Sequence, residues 1–404
     1  MLLLVPQGFP YITKIHVNDC YAYQNFDIIL NKDNPFSHLV LTGRNGSGKT
    51  TILKSLNASL SNFYYQHISK DQRIQQFMNR ISNGGLVAYE NLNYQDKQEF
   101  ILLNSTDISF KESLNYRFSI YSFLQATRSS KIEPVSTVVK DDDLNDHLEK
   151  QNSSEFFIKQ FKQYLVNKKV NQAFDILDNN QAKIADTERF FSLMTQSFRN
   201  ILEDPKLELI FVKENFDFHL QLSTGQKITF ENLSDGFSAL ISILMDLFMR
   251  VDIIRKEVKD FSYNPCGIVL IDEPETHLHL KLQYEVMPLL TGLFPNVQFI
   301  VATHSPAVIS SIKNATVFDL TSKSTETESI VGSSFSELMV SHFGLDNEYS
   351  NIADDIFAQI NHIIKTETDP QARKKRLQTV LTENERYLSP AMQLELESMI
   401  LELQ

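Results

Sequence analysis

The sequence predicts an α/β protein, and three observations carry that reading. Short aliphatic strands alternate with helices, the pattern of a sheet with helices packed on its faces. A glycine-rich turn, GRNGSGKT (43–50), joins a short apolar strand, HLVLTG (38–43), to a helix, TTILKSLNASL (50–60). A fully aliphatic run, GIVLI (267–271), ends on two adjacent carboxylates, Asp272 and Glu273.

From the N-terminus, YITKIHV (11–17) and NFDIIL (25–30) alternate enough to read as strands. Residues 61–110 are mixed, with NGG (83–85) as a turn, and FKESLNYRFSIYSFLQ (110–125) reads as strand again. KDDDLNDHLEKQ (140–151) is polar. Its run Asp141-Asp142-Asp143 cannot share one face of a strand and reads as a solvated loop. FFIKQFKQYLV (156–166), VNQAFDIL (170–177) and ADTERFFSLMTQSFRNIL (185–202) place apolar residues three and four apart and read as helices. With no sustained heptad, residues 129–205 are expected to be a small inserted helical subdomain and not a coiled-coil arm. After Pro205 come the strands KLELIFV (206–212), FDFHLQL (216–222) and QKITF (226–230), then a helix from Asp235 to about Lys256. GIVLI, a helix from Leu280, VQFIVAT (297–303) and TVFDL (316–320) complete the alternation. From Thr321 the chain is expected to be helical, over 334–344, 351–365, 372–382 and 390–403. Residues 321–404 carry a net charge of −7 out of the protein's −12.

Composition narrows the setting. The chain of 404 residues is long enough for a sizeable core. Its two cysteines, Cys20 and Cys266, lie far apart, so no disulfide framework or zinc-finger spacing exists and a reducing, cytoplasmic setting is expected. MLLLVPQGFP lacks the basic region and length of a signal peptide, and no run approaches the roughly 18 apolar residues of a membrane span. The acidic balance argues against a basic nucleic-acid coat but leaves a local basic groove, and so DNA contact, open.

GRNGSGKT fits G-x-x-x-x-G-K-[ST] at every fixed position. Such a loop wraps phosphate with backbone N–H groups, so side chains must be absent where it approaches closely. The helix N-terminus near Gly48 adds its positive dipole end. Lys49 brings a full charge and Thr50 a hydroxyl for Mg²⁺. No guanine-reading N-K-x-D follows, which favours ATP over GTP. ENLSDGFSAL (231–240) sets Leu233-Ser234-Asp235-Gly236 before a long apolar helix, as a second anion-binding surface or a plain N-cap by Ser234 or Asp235.

In this order the motifs resemble an ABC-type ATPase head of the branch that holds structural-maintenance-of-chromosomes heads and the overcoming-lysogenization-defect (OLD) family. GRNGSGKT resembles Walker A, LSDGF the ABC signature, IVLIDE (268–273) Walker B, ATHSP (302–306) the switch-histidine segment and PETHLH (274–279) an OLD-type D-loop region. The resemblance covers roughly 11–60 and 206–320. It implies a P-loop NTPase fold: a mixed sheet with flanking helices, an N-terminal lobe (1–128), the helical insertion (129–205), a C-terminal lobe (206–320) and a helical C-terminal region (321–404). It implies that Gly43, Asn45, Gly46, Ser47, Gly48, Lys49, Thr50 and Thr51 hold ATP, with Ser234 and Gly236 capping it from another subunit. Asp272 and Thr50 would hold Mg²⁺, Glu273 would polarise the attacking water and His304 would meet the γ-phosphate.

Other assignments stay open. Gln125 is a Mg²⁺ ligand of a Q-loop or a surface glutamine, with Arg128 its rival. Phe26 or Tyr23 stacks on adenine or belongs to the core. On a helix His277 and His279 diverge by about 200°, which weighs against a hydrolytic metal pair and toward caps or subunit contacts. Asp235 and Phe237 depart from the Gly and Gln of transporters, so membrane partners are not expected. The interval from Lys49 to Ser234 is too long for a plain transporter subunit and too short for a chromosome-tethering coil.

The resemblance implies a homodimer or higher oligomer sharing its ATP sites. Residues 321–404 contain no Asp-x-Asp of a Toprim nuclease, so the chain is expected to be an ATPase and not itself a nuclease. The short tail resembles those of stand-alone anti-phage ATPases of the Septu and retron-associated kinds, whose effector, a nuclease, is a separate protein. The alternative is a DNA repair or recombination ATPase acting on DNA ends.

Overall fold

The computed structural model describes residues 11–20, 23–30, 36–61, 99–103, 119–127, 132–151, 153–326 and 351–384, with Phe9 and a few residues between 387 and 398. The turn expected at 83–85, Arg128, the helix expected at 334–344 and most of that expected at 390–403 lie outside the described residues. The chain divides into two compact units, 1–333 and 334–404.

The first unit is built on a six-stranded sheet. Its strands are β3 (His38–Thr42), β5 (Ser119–Leu124), β9 (Cys266–Asp272), β10 (Val297–Ala302), β11 (Ala315–Asp319) and β12 (Ser324–Glu326). The order is β12-β11-β3-β10-β9-β5. All neighbours are parallel except the β11–β12 hairpin. β3, β9 and β10 are buried throughout, as continuous aliphatic strands covered on both faces should be. Two three-stranded antiparallel sheets flank this core. One comprises β1 (Ile12–Cys20), β2 (Tyr23–Ile29) and β4 (Glu99–Leu103), with β1 central. The other is β6 (Glu208–Val212), β7 (Asp217–Gln221) and β8 (Lys227–Thr229) in chain order.

The helices of this unit are α1 (Lys49–Ser61), α2 (Asp141–Gln151), α3 (Ser154–Leu177), α4 (Gln181–Ile201), α5 (Asp235–Val258), α6 (Leu280–Leu293) and α7 (Pro306–Ser311). Three expectations need correction. Asp141, Asp142 and Asp143 are the first turn of α2 and not a loop; carboxylates there meet the positive end of the helix dipole. Residues 156–177 form one helix, because the NKK break in the apolar spacing is filled by packing: Asn167 and Lys168 are buried. Beyond Thr321 the chain makes β12 before any helix, pairing Phe318 with Thr325 and Asp319 with Ser324.

Helix α5 packs against α3 and α4. Its buried face includes Asp246, Arg250 and Asp252, and buried charges must be paired to be tolerated. Asp246 accepts from Arg250 Nε at 3.0 Å and from Ser122 Oγ of β5 at 2.7 Å. Ser122 in turn meets Ser154, the first residue of α3, at 2.8 Å. Asp252 takes Lys168 Nζ at 2.7 Å and the Tyr164 hydroxyl, both from α3. Lys162, also on α3, pairs with Asp217 of β7 at 2.7 Å and with Glu231. Helix α3 is thus tied to α5 by the buried Lys168–Asp252 pair, and to β7 and the segment before α5 through the buried ammonium of Lys162.

The second unit holds α8 (Asn351–Thr366) and α9 (Pro370–Asn384). They enclose a core of their own: Ile356, Ile360, Ile363 and Leu377, with Leu388 and Met392. Among the described residues no helix is long and apolar enough to cross a membrane.

Candidate functional site

Four strands end at one edge of the sheet and deliver the candidate residues there. In register, Leu41 lies beside Ala302, Ala302 beside Asp272, and Ile271 beside Leu124. The residues leaving those strands are therefore Gly43 from β3, Thr303 and His304 from β10, Asp272 and Glu273 from β9 and Gln125 from β5. The carboxyl edge of a parallel sheet is where such folds bind ligands.

The loop after β3 has the shape of a phosphate cradle. Gly43, Gly46 and Gly48 have φ of 131°, 79° and 95°, values that L side chains rarely adopt. A Cβ at Gly43 would stand 2.9 Å from Asp319 Oδ1 and 3.0 Å from Ser47 Oγ. Lys49 is buried and donates to the carbonyls of Gly43 at 2.9 Å and Arg44 at 3.2 Å. Burial drives its pKa down to about 8, against the opposing pull of Glu273, Asp272, Asp319 and Glu275. The Ser47 hydroxyl is buried without a partner. A buried cation bonded only to loop carbonyls, an orphaned hydroxyl and three left-handed glycines fit a phosphate chain. Asn45 and Gly46 are exposed, and Thr50 and Thr51 half-buried, at the mouth of this loop and the start of α1.

Of the residues expected to hold Mg²⁺, Thr50 and Asp272 meet. Thr50 Oγ1 donates to Asp272 Oδ1 at 3.1 Å, so a hydroxyl and a carboxylate oxygen already stand side by side, a hard-oxygen set that suits Mg²⁺. Glu273 follows with φ of 49°, a left-handed conformation that costs a non-glycine residue free energy and is held here by the fold. Its N–H donates to Ala302 O at 2.8 Å, and Thr276 Oγ1 donates to its carbonyl at 2.9 Å. His304 is half-buried. Its imidazole is held below the usual range by burial and then by Lys49, against the opposing pull of Glu273. Gln125 is exposed just beyond β5, one residue past the Leu124–Ile271 pair.

The signature loop stands at the head of α5. Ser234 occupies the N-cap position with its side chain exposed, yet makes no capping bond; the plain-cap reading of this serine does not hold, and Asp235 is already inside the helix. Gly236 has a local reason to be glycine, since a Cβ there would lie 2.4 Å from the carbonyl oxygen of His277. His277 itself has φ of 64° and an exposed side chain. His279 is the N-cap of α6, accepting from Leu282 N. Phe26 stacks on Phe318 at 5.9 Å, with Lys323 near its ring; the side chain of Tyr23 lies outside the described residues.

Two braces escaped the sequence reading. Arg44 N donates to Thr321 Oγ1 at 3.0 Å, and Thr321 N to Asp319 Oδ1 at 2.8 Å, so the end of β11 steadies the loop after β3. Glu275 Oε1 accepts from Thr303 Oγ1 at 2.5 Å and His304 N at 2.9 Å. The first had a faint signal in an aspartate closing a strand; the second had none, because it links turns distant in sequence.

Fold and edge together define an ABC-like P-loop ATPase head. The chain belongs to the family described as "AAA domain, putative AbiEii toxin, Type IV TA system", which it matches over residues 39–310. It is 26% identical over 368 residues to "Retron Vc95 probable ATPase" of Vibrio cholerae serotype O1 biovar El Tor, covering 72% of this chain and 70% of that one. It is 28% identical over 285 residues to "Septu protein PtuA" of Bacillus thuringiensis, covering 67% of each. Among solved structures, the Smc head domain of Pyrococcus furiosus with the C-terminal domain of ScpA superposes with a TM-score of 0.36 at 17% identity, over 77% of this chain and 93% of that chain; at that score the likeness adds nothing.

Proposed function

We propose that this chain binds and hydrolyses ATP and acts as the sensor subunit of a bacterial anti-phage defence complex, controlling a separate effector that is a nuclease. The observation that carries the ATPase part is the Thr50–Asp272 hydrogen bond at a sheet edge shared with Lys49, Glu273 and His304. Lys49 binds the β- and γ-phosphates. The N–H groups of Gly46 and Gly48 line their path. Thr50 and Asp272 would hold Mg²⁺, which when bound would offset the charge of the phosphates. Glu273 orients the attacking water and takes its proton, and His304 meets the γ-phosphate. Gln125, just beyond β5, would add a further ligand to that ion. The exposed, non-capping Ser234 and the head of α5 close over ATP held by a second copy, so a homodimer shares its sites and ATP controls its closure.

Two further observations support the defence assignment. The chain aligns with proteins named as a retron ATPase and as Septu PtuA. The acidic balance of residues 321–404 suits a protein partner better than a phosphate backbone. The test is to incubate purified protein with plasmid and linear DNA, Mg²⁺ or Mn²⁺, and ATP, with and without the product of the neighbouring gene. Cleavage is expected only when that product is added. Metal-dependent cleavage that co-elutes with this chain and survives Glu273→Gln would overturn the reading; ATP-dependent binding to DNA ends by the chain alone would favour a repair ATPase.

A further inference from the structure

We infer that Glu275 is the positioning residue of the switch-histidine segment, tying the turn after β9 to the end of β10 and thereby fixing where His304 stands relative to Lys49 and Glu273. The inference rests on the ATPase reading of this edge and names a residue that reading does not use.

Glu275 lies two residues beyond Glu273, in a tight turn. Thr276 N donates to Glu273 O at 3.2 Å, Leu278 N to Glu275 O at 2.9 Å, and Glu273 and His277 bracket the turn with left-handed φ. That backbone aims the Glu275 carboxyl across to the next strand's exit. There Oε1 accepts two donors at once, the Thr303 hydroxyl and the His304 backbone N–H. Thr303 Oγ1 in turn accepts from Ser305 N at 2.9 Å, and Ser305 N-caps α7. One oxygen therefore governs three successive residues centred on His304.

The second oxygen makes the case specific. Oε2 is buried and has no hydrogen-bond partner. Leaving a buried polar atom unpaired is costly, and a site needing only a mechanical tie has cheaper solutions. A carboxylate makes shorter and stronger bonds to N–H and O–H than a neutral acceptor, so a carboxyl here purchases rigidity in the segment bearing the imidazole. A displacement of about 1 Å at a reacting group can cost on the order of 10²-fold in rate, which makes rigidity at this point matter to turnover more than to binding.

The test uses the full chain and five variants: Glu275→Ala, Glu275→Gln, Thr303→Val, His304→Ala and the double Glu275→Ala/His304→Ala. ATP affinity is read by calorimetry and turnover by phosphate release. Glu275→Ala is expected to lower kcat about 10- to 100-fold while ATP affinity stays within about twofold. Glu275→Gln, whose Oε1 can accept both donors but only as a weaker neutral acceptor, should turn over at a rate between those of Glu275→Ala and the wild type. Thr303→Val, which folds around an intact Glu275, should lose kcat more mildly. The double variant should be no slower than His304→Ala, because residues acting as a unit are not additive. Full multiplication of the two single losses, or a loss confined to affinity, would overturn the inference. So would wild-type turnover in Glu275→Ala, which leaves the ATPase reading standing. A wild-type chain that binds but never hydrolyses ATP strikes that reading first, and this one with it.

Discussion

Lys49 is the residue on which nucleotide affinity should turn, and its burial gives that affinity a pH dependence. Its pKa is depressed to about 8 by burial, and an anionic phosphate chain favours the protonated form. Binding then draws a proton onto Lys49 near and above pH 8. Affinity is full below that value and falls as pH rises through it. Calorimetry at pH 8.5 in buffers of different ionisation enthalpy should read proton uptake, and Lys49→Ala should abolish both the uptake and the binding. Equal affinity at pH 7 and 9.5 would argue against Lys49 as the phosphate ligand. Glu273 makes the complementary prediction. Glu273→Gln should bind ATP normally yet turn it over about 10²–10⁴-fold more slowly, accumulating an ATP-bound assembly visible by light scattering. A variant with undiminished turnover would transfer the base's role, with His304 the next candidate.

Among the elements, α5 joins site to insertion. Asp252 is buried with Lys168 and Tyr164, and removing one partner of a buried pair strands the other charge. Asp252→Ala should therefore destabilise the protein by about 3–5 kcal/mol, read as a drop in Tm, whereas the exposed pair of Lys281 and Glu203 should give no measurable change on Lys281→Ala. The two outcomes separate a structural role for the α3–α5 pairing from a merely incidental one. These ties also mark the limit of what the sequence discloses. β3, β9 and β10 are legible because strands buried on both faces are short, aliphatic and end at motifs. The first turn of α2 is not, since three aspartates suit a loop or a helix N-terminus equally and only the dipole decides. Nor is the continuity of α3 through Asn167 and Lys168, which depends on a carboxylate far along the chain. In the site the same division holds: Lys49, Thr50, Asp272 and Glu273 follow from local pattern, while the grips of Glu275 on Thr303 and of Thr321 on Arg44 arise only once the sheet aligns β9 with β10 and β11 with β3.

At the scale of the whole molecule, the ATP site is expected to be shared between copies. Ser234 is exposed and leaves its cap unmade, so the proposal assigns its hydroxyl to the neighbouring subunit's nucleotide. Lys49→Ala and Ser234→Arg proteins should each be inactive alone. Mixed, they should regain part of the wild-type ATPase rate, because each mixed dimer holds one composite site free of both substitutions. No recovery on mixing, with subunit exchange demonstrated by labelled chains, would rule out sharing. Residues 334–404 form a unit with its own core of Ile356, Ile360, Ile363 and Leu377. That places the acidic tail among candidates for holding an effector.

The contact between Gly236 and the carbonyl of His277 reaches further than the packing it describes. A Cβ would intrude to 2.4 Å, so the head of α5 and the turn after β9 are cut to each other's shape. Drift in one must wait on drift in the other, and the two segments should pass between lineages as a matched pair. A chimera that imports only residues 231–240 from a distant relative should misfit even if every motif letter is kept, and importing 273–279 along with it should restore the fit.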